Sequence, residues 1–115
     1  MKEIKKFIND YPDFPKKGIL FRDLSPILTK PKLFSELIDK MSCSSIIKSA
    51  DALISIDARG FIFGSAIALK TLKPIIIARK PGKLPGDLVE LAYSLEYSEN
   101  ALSIQRESVK GFEKI

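Results

Sequence analysis

Two stretches of this sequence concentrate side chains that can hold an anion. The first is Asp57-Ala58-Arg59-Gly60 and the second is Arg79-Lys80-Pro81-Gly82-Lys83. Each follows directly on an apolar run, from Ala52 in one case and from Pro74 in the other. Arginine offers a fork of donors that matches phosphate, and glycine lets the backbone itself come close to a ligand. The chemistry these residues point to is the binding of phosphate or pyrophosphate. The sequence contains no His and one cysteine, Cys43. That excludes imidazole general-base catalysis, Ser–His and Cys–His nucleophile pairs, and the usual zinc sites. A lone cysteine cannot close an internal disulfide, which fits a reducing compartment. Arg, Lys, Asp, Glu and backbone groups are left to do the chemistry.

The same residues also have plainer readings. Asp57 could cap a helix while Arg59 pairs with a surface acid. Phe21-Arg22-Asp23 reads as a core aromatic beside a weak surface ion pair. Glu96-Tyr97 reads as the polar and apolar faces of a strand, Gly60 and Gly64 as close helix–sheet packing, and Cys43 as a small packed residue. The net charge of +5 biases the partner towards an anion: nucleic acid, an acidic membrane surface or a small phosphorylated ligand. Lys2, Lys5, Lys6, Lys16 and Lys17 are spread among acids and apolar residues and read as solvated. The group from Arg79 to Lys83 is denser and lies among Pro and Gly. No recognisable nucleic-acid-binding module accompanies it, and nucleic acid is the weakest of these partners. No apolar run approaches the roughly 18 residues of a membrane helix. The charged start, Met1 to Lys6, lacks the apolar core of a secretory signal. A cytoplasmic protein with no membrane and no nucleic-acid partner is expected.

These groups need elements to position them, and 115 residues leave room for one domain and one core. Residues 2–9 read as a short amphipathic helix with Ile4, Phe7 and Ile8 on one face. The Tyr11-to-Pro15 stretch breaks it. Gly18 to Asp23 reads as extended. Leu33, Phe34, Leu37, Ile38 and Met41 recur at helical spacing and predict one long helix from Pro31 to about Lys48, with Pro31 suited to its first turn. Strands at Ala52–Asp57 and Pro74–Arg79, flanking a helix over 61–72, form a βαβ unit with two parallel strands. Open parallel sheets bind ligands outside the carboxyl ends of their strands, and both basic stretches fall there. The first also opens a helix, whose N–H groups favour an anion. Residues 80–92 read as a mobile loop. Val89–Tyr97 and Ala101–Arg106 read as a hairpin turning at Ser98-Glu99-Asn100. Val109 to Ile115 reads as a turn and the start of another apolar element. Two parallel strands leave a sheet with few covered faces, a pattern that suggests an incomplete domain.

In this order the pieces resemble the adenine phosphoribosyltransferases, of the type I phosphoribosyltransferase fold. Four stretches carry the resemblance. They are Asp13-Phe14-Pro15-Lys16-Lys17-Gly18-Ile19-Leu20-Phe21-Arg22-Asp23, Asp57-Ala58-Arg59-Gly60-Phe61-Ile62-Phe63-Gly64, Arg79 to Pro85, and Tyr93-Ser94-Leu95-Glu96-Tyr97. The resemblance runs from about residue 4 to the last residue. It implies an α/β fold: an open parallel sheet with flanking helices and a β-hairpin, incomplete at the C-terminus. It also implies an enzyme of purine salvage, a homodimer that joins adenine to 5-phosphoribosyl-1-pyrophosphate with Mg²⁺, giving AMP and pyrophosphate.

Roles follow residue by residue from that resemblance. Leu20 and Arg22 would meet the adenine edge through their backbones, and Phe21 would stack on the ring. Asp57, Ala58, Arg59 and Gly60 match the loop that holds pyrophosphate, with a non-proline cis peptide after Asp57. Arg79, Lys80 and Lys83 match cationic residues of the pyrophosphate side, partly supplied across a dimer interface. Residues 80–92 match a loop that closes over the site. Glu96 matches a glutamate that handles the proton on adenine N7, with Tyr97 beside it. A site without His suffices for this chemistry, because the leaving group is anionic and one carboxylate can manage the base proton. A cationic sugar must be kept from water, which gives the Pro/Gly loop a lid role. The family's apolar strand with two adjacent acids and a Thr/Gly-rich loop, which cradles the ribose 5-phosphate, is not in the sequence. It would begin within a few residues of Lys114-Ile115. The resemblance thus implies that residues 1–115 are a single partial domain lacking roughly its C-terminal third, inactive alone. Two other readings share these residues. One is another purine or orotate phosphoribosyltransferase, and the other is a non-catalytic base-binding or regulatory protein.

Overall fold

The computed structural model describes residues 2–95 and 98–115. Contacts divide the chain into two compact units, Met1–Met41 and Ser42–Ile115. The first unit opens with a single helical turn, α1 (Lys2–Lys5), which buries Ile4. The helix expected to reach residue 9 stops there. The chain instead enters β1 (Asn9–Pro12), antiparallel to β2 (Leu20–Asp23) in the register Asn9↔Asp23 to Pro12↔Leu20. Proline ends a helix, but it is tolerated at the margin of an edge strand, where no N–H is demanded of it. The connecting loop is tied at its base. Asp13 Oδ1 accepts from Gly18 N at 2.8 Å and Phe14 N donates to Ile19 O at 3.1 Å. Asp13 and Gly18 both hold positive φ, and the Phe14–Pro15 peptide is cis.

A further turn, α2 (Ser25–Leu28), begins where Asp23 Oδ1 accepts from Ser25 N at 3.0 Å and Ser25 Oγ at 2.6 Å. Next comes α3 (Pro31–Ser42), with Ile38 buried. The single helix expected to run to Lys48 is two. Ser44 is extended and its Oγ accepts from Ile47 N at 3.3 Å, which caps a new helix, α4 (Ser45–Ser49). Cys43, in the break, is exposed rather than packed.

The second unit is built on β3 (Leu53–Ile56), α5 (Arg59–Thr71) and β4 (Ile75–Ala78). The two strands run parallel in the register Leu53↔Ile75 to Ile56↔Ala78, the βαβ unit read from the sequence. α5 comes close to β3 because Gly64 has no side chain; a Cβ there would collide with the Ser55 side chain. The core gathers Ala52, Ser55, Ile67, Ala68, Ile76, Ala78 and Ser103. β5 (Leu88–Leu95) and β6 (Ser98–Gln105) form an antiparallel hairpin. β5 opens one residue before the expected Val89, so residues 88–92, which the loop reading of 80–92 also took in, are strand. Ser98, Glu99 and Asn100 pair with Leu95, Ser94 and Tyr93, so they are strand rather than turn. The hairpin joins β4 through Arg79 and Ser103, which exchange N–H···O bonds of 3.0 and 2.7 Å. At the far end of the chain Lys114 O accepts from Asp51 N at 2.7 Å, and the Asp51 carboxylate accepts from Glu113 N at 3.1 Å and Lys114 N at 3.0 Å. The last residues thus lie beside the start of β3. Parallel strands, flanking helices and antiparallel hairpins make this the α/β arrangement expected.

Candidate functional site

Equal strand lengths set the geometry of the basic segments. Because β3 and β4 end together at Ile56↔Ala78, the next residue of each, Asp57 and Arg79, leaves the sheet beside its neighbour. Asp57 N donates to Ala78 O at 2.9 Å, which extends the pairing one step. Asp57 Oδ2 accepts from Arg79 Nε at 3.1 Å, with the two side chains 13% and 35% exposed. The carboxylate therefore does not cap α5. The N-cap position is Ala58, and no side chain bonds to the helix start there. The Asp57–Ala58 peptide is cis, as the resemblance implies. Arg59 and Gly60 form the first turn of α5. Its N–H groups and dipole favour an anion there. A Cβ at Gly60 would meet Ile56 Cβ at 3.8 Å, an ordinary contact, so packing alone does not call for glycine at this position.

Beyond β4 the chain turns with Lys83 N donating to Lys80 O at 3.2 Å, and Arg79 Nη1 reaches Lys83 O at 3.4 Å. Arg59, Lys80 and Lys83 are exposed. The segment 80–87 is fastened at its other end. Arg106 Nε donates to the Asp87 carboxylate at 3.0 Å, Arg106 N to Asp87 O at 2.9 Å, and Gln105 Nε2 to Pro85 O at 3.2 Å. The in-register sheet thus brings Asp57, Ala58, Arg59, Gly60, Arg79, Lys80 and Lys83 to one edge of the second unit.

Leu20, Phe21 and Arg22 lie in the first unit, on β2. Pro12, which has no N–H, stands opposite Leu20. That pair cannot exchange the two bonds of a hydrogen-bonded pair, so the ladder bonds fall to Tyr11↔Phe21 and Asn9↔Asp23. The N–H and C=O groups of Leu20 and Arg22 then point to the other edge of β2, where no further strand pairs among the described residues. The Phe21 ring packs edge-on with Phe14, centroids 5.2 Å apart and planes at 78°. Beside them opens a cleft of about 390 Å³ lined by Tyr11, Phe14, Phe21, Asp23 and Ser25. Arg22 and Asp10 stand 3.8 Å apart on the surface, a pair worth little. Glu96 and Tyr97 lie outside the described residues. Among the described residues no three His, Cys, Asp or Glu side chains cluster where they could hold a metal ion.

Sequence reasoning missed the Asp57–Arg79 pair, the Asp87–Arg106 fastening and the place of Phe14 against Phe21. The first was within reach, since an acid and an arginine each close an apolar run of matching length. The other two depend on hairpin register, which residue types alone do not give.

No protein-family model matches the chain. It is 62% identical over 110 residues to an adenine phosphoribosyltransferase of Prochlorococcus marinus (strain MIT 9215), covering 96% of the chain and 64% of that protein. Among solved structures it is similar to the adenine phosphoribosyltransferase of Saccharomyces cerevisiae complexed with adenine and an imino-altritol bisphosphate. That match is 37% identical, with a TM-score of 0.81, over 90% of the chain and 61% of the yeast chain. It is also similar to the Giardia lamblia enzyme complexed with 9-deazaadenine, at 31% identity and a TM-score of 0.86, over 92% of the chain and 59% of that one. The chain spans less than two thirds of the length of these relatives.

Proposed function

Because this chain belongs to the adenine phosphoribosyltransferase family, we propose that the protein it represents makes AMP and pyrophosphate from adenine and 5-phosphoribosyl-1-pyrophosphate in purine salvage. The observation that carries the proposal is the in-register ending of β3 and β4, with the Arg59 and Arg79–Lys83 segments at one edge. In the reaction the adenine N9 lone pair forms a bond to ribose C1′ as the C1′–O bond to pyrophosphate breaks. The electrons of that bond leave on pyrophosphate. Arg59, Lys80, Lys83 and the N–H groups opening α5 offset the charge that develops there. Glu96, with Tyr97 next to it in sequence, accepts the proton that adenine N7 gives up as N9 bonds to C1′.

The base is chosen by β2 in this reading. Phe21 supplies a stacking face, and the outward backbone groups of Leu20 and Arg22 match the donor and acceptor edge of adenine. Backbone groups that must be paired discriminate strongly against a base with the opposite pattern. The described residues do not fit a resident Mg²⁺ ion, since no acidic cluster is present among them and the Asp57 carboxylate is engaged by Arg79. The Mg²⁺ we propose travels with the donor's own phosphate oxygens. We further propose a cytoplasmic homodimer, in which Lys80 and Lys83 serve partly across the interface. Among the described residues no helix is long and apolar enough to cross a membrane.

Substrate choice tests the proposal. The protein carrying this chain is expected to turn over adenine with kcat/KM at least about 10²-fold above hypoxanthine or orotate. Preference for either of the other bases would contradict the assignment of Leu20, Phe21 and Arg22.

A further inference from the structure

Arg79 matches a cation of the pyrophosphate side, yet its Nε, Nη1 and backbone groups all have partners inside the protein. Nε serves Asp57 Oδ2 at 3.1 Å, Nη1 reaches Lys83 O at 3.4 Å, and the backbone N and O are both taken by Ser103. The partner carboxylate is 13% exposed, so the pair is screened less than a surface one. A guanidinium that donates its Nε–H to a carboxylate at 3.1 Å has part of its charge offset. Lys80 and Lys83 are exposed on the segment it holds.

We propose that Arg79 is a positioning residue rather than a direct phosphate ligand. From the end of β4 it fixes Asp57, and through it the Asp57–Ala58 peptide and the entrance of α5. On its other side it fixes the backbone of Lys83. The loop opening α5 and the basic loop are thereby set as one piece, and Arg59, Lys80 and Lys83 meet the anion. Its effect on anion binding rests on the phosphate reading above, whereas the coupling of the two loops does not.

Two measurements on the protein carrying this chain and its R79Q, R79K, D57N and D57N/R79Q variants test this. The first is tryptic cleavage after Lys83 without ligand, followed by mass spectrometry and referred to cleavage after exposed Lys17 as an internal control for global unfolding. Each variant is expected to raise the Lys83 to Lys17 ratio several-fold. An unchanged ratio in both R79Q and D57N overturns the coupling. The second is calorimetric titration with inorganic pyrophosphate. R79Q, R79K and D57N are each expected to weaken binding by about tenfold, the double variant no more than the singles. R79K matters because it keeps the charge but not the fork. Tighter binding by D57N, or wild-type affinity in R79K, would make Arg79 a direct ligand and overturn the proposal. If the parent protein binds no pyrophosphate, the phosphate reading fails and the cleavage ratio alone decides the coupling.

Discussion

Gly64 shows how one residue sets the spacing on which the rest depends. It carries no side chain where α5 passes β3, and a Cβ there would stand 2.8 Å from Ser55 Cβ and closer still to Ser55 Oγ. Close helix–sheet packing was legible in the sequence at this glycine. At Gly60 the same reading fails, because packing leaves room for a side chain. Gly64→Ala is expected to cost about 1–3 kcal/mol of unfolding free energy, as overpacking does. Urea denaturation measures it. The Ser55 hydroxyl is buried without a hydrogen-bond partner among the described residues. Ser55→Gly in the G64A background should therefore restore most of the loss. A G64A variant as stable as the parent would contradict the contact. At Asp57 the residue type was legible but its partner was not. A capping acid and an acid reaching across to the next strand look alike until the register of β3 and β4 is known.

Elements were legible where a single period ran uninterrupted. β3, α5 and β4 were found within a residue or two because apolar runs and turn residues mark them. β1 was missed because Pro12 was read as a helix breaker, although it sits at the end of an edge strand. The break between α3 and α4 was missed because apolar spacing continues past it. The Ser42-Cys43-Ser44-Ser45 cluster was the available signal, and Ser44 is the residue that uses it. The segment ending the chain makes a prediction of its own. The Glu113 and Lys114 amides hold the Asp51 carboxyl below its ordinary value of 3.8, with the nearby Lys114 and Lys73 charges adding to the effect. The folded value lies below the unfolded one, so the stabilisation is fully present above about pH 4. It is lost as pH falls through the depressed value. Amide exchange at Glu113 and Lys114, corrected for intrinsic rates, should lose protection below pH 3.8 and not above it. Protection that is flat across that range, or falls above it, would contradict the contact.

At the scale of the whole molecule, composition said the least. Net charge pointed to an anion, but only strand order placed that charge at one sheet edge. The step between the two compact units falls inside α3, where no linker composition marks it. The candidate site was legible as separate motifs in sequence order. That the basic segments of the second unit meet at the carboxyl ends of two parallel strands was legible from the βαβ pattern, and the register Leu53↔Ile75 to Ile56↔Ala78 aligns them. The outward edge of β2 follows from one proline and its partner, and no residue type announces it. The central claim is that these segments serve phosphoribosyl transfer to adenine, with Arg59 offsetting the leaving charge. The most direct measurement is AMP formation from adenine and 5-phosphoribosyl-1-pyrophosphate by the protein carrying this chain, beside its Arg59→Ala variant. Turnover by the parent and a fall of about 10²–10³-fold in kcat/KM for the variant are predicted. No AMP from the parent, or equal rates from both proteins, would contradict the claim.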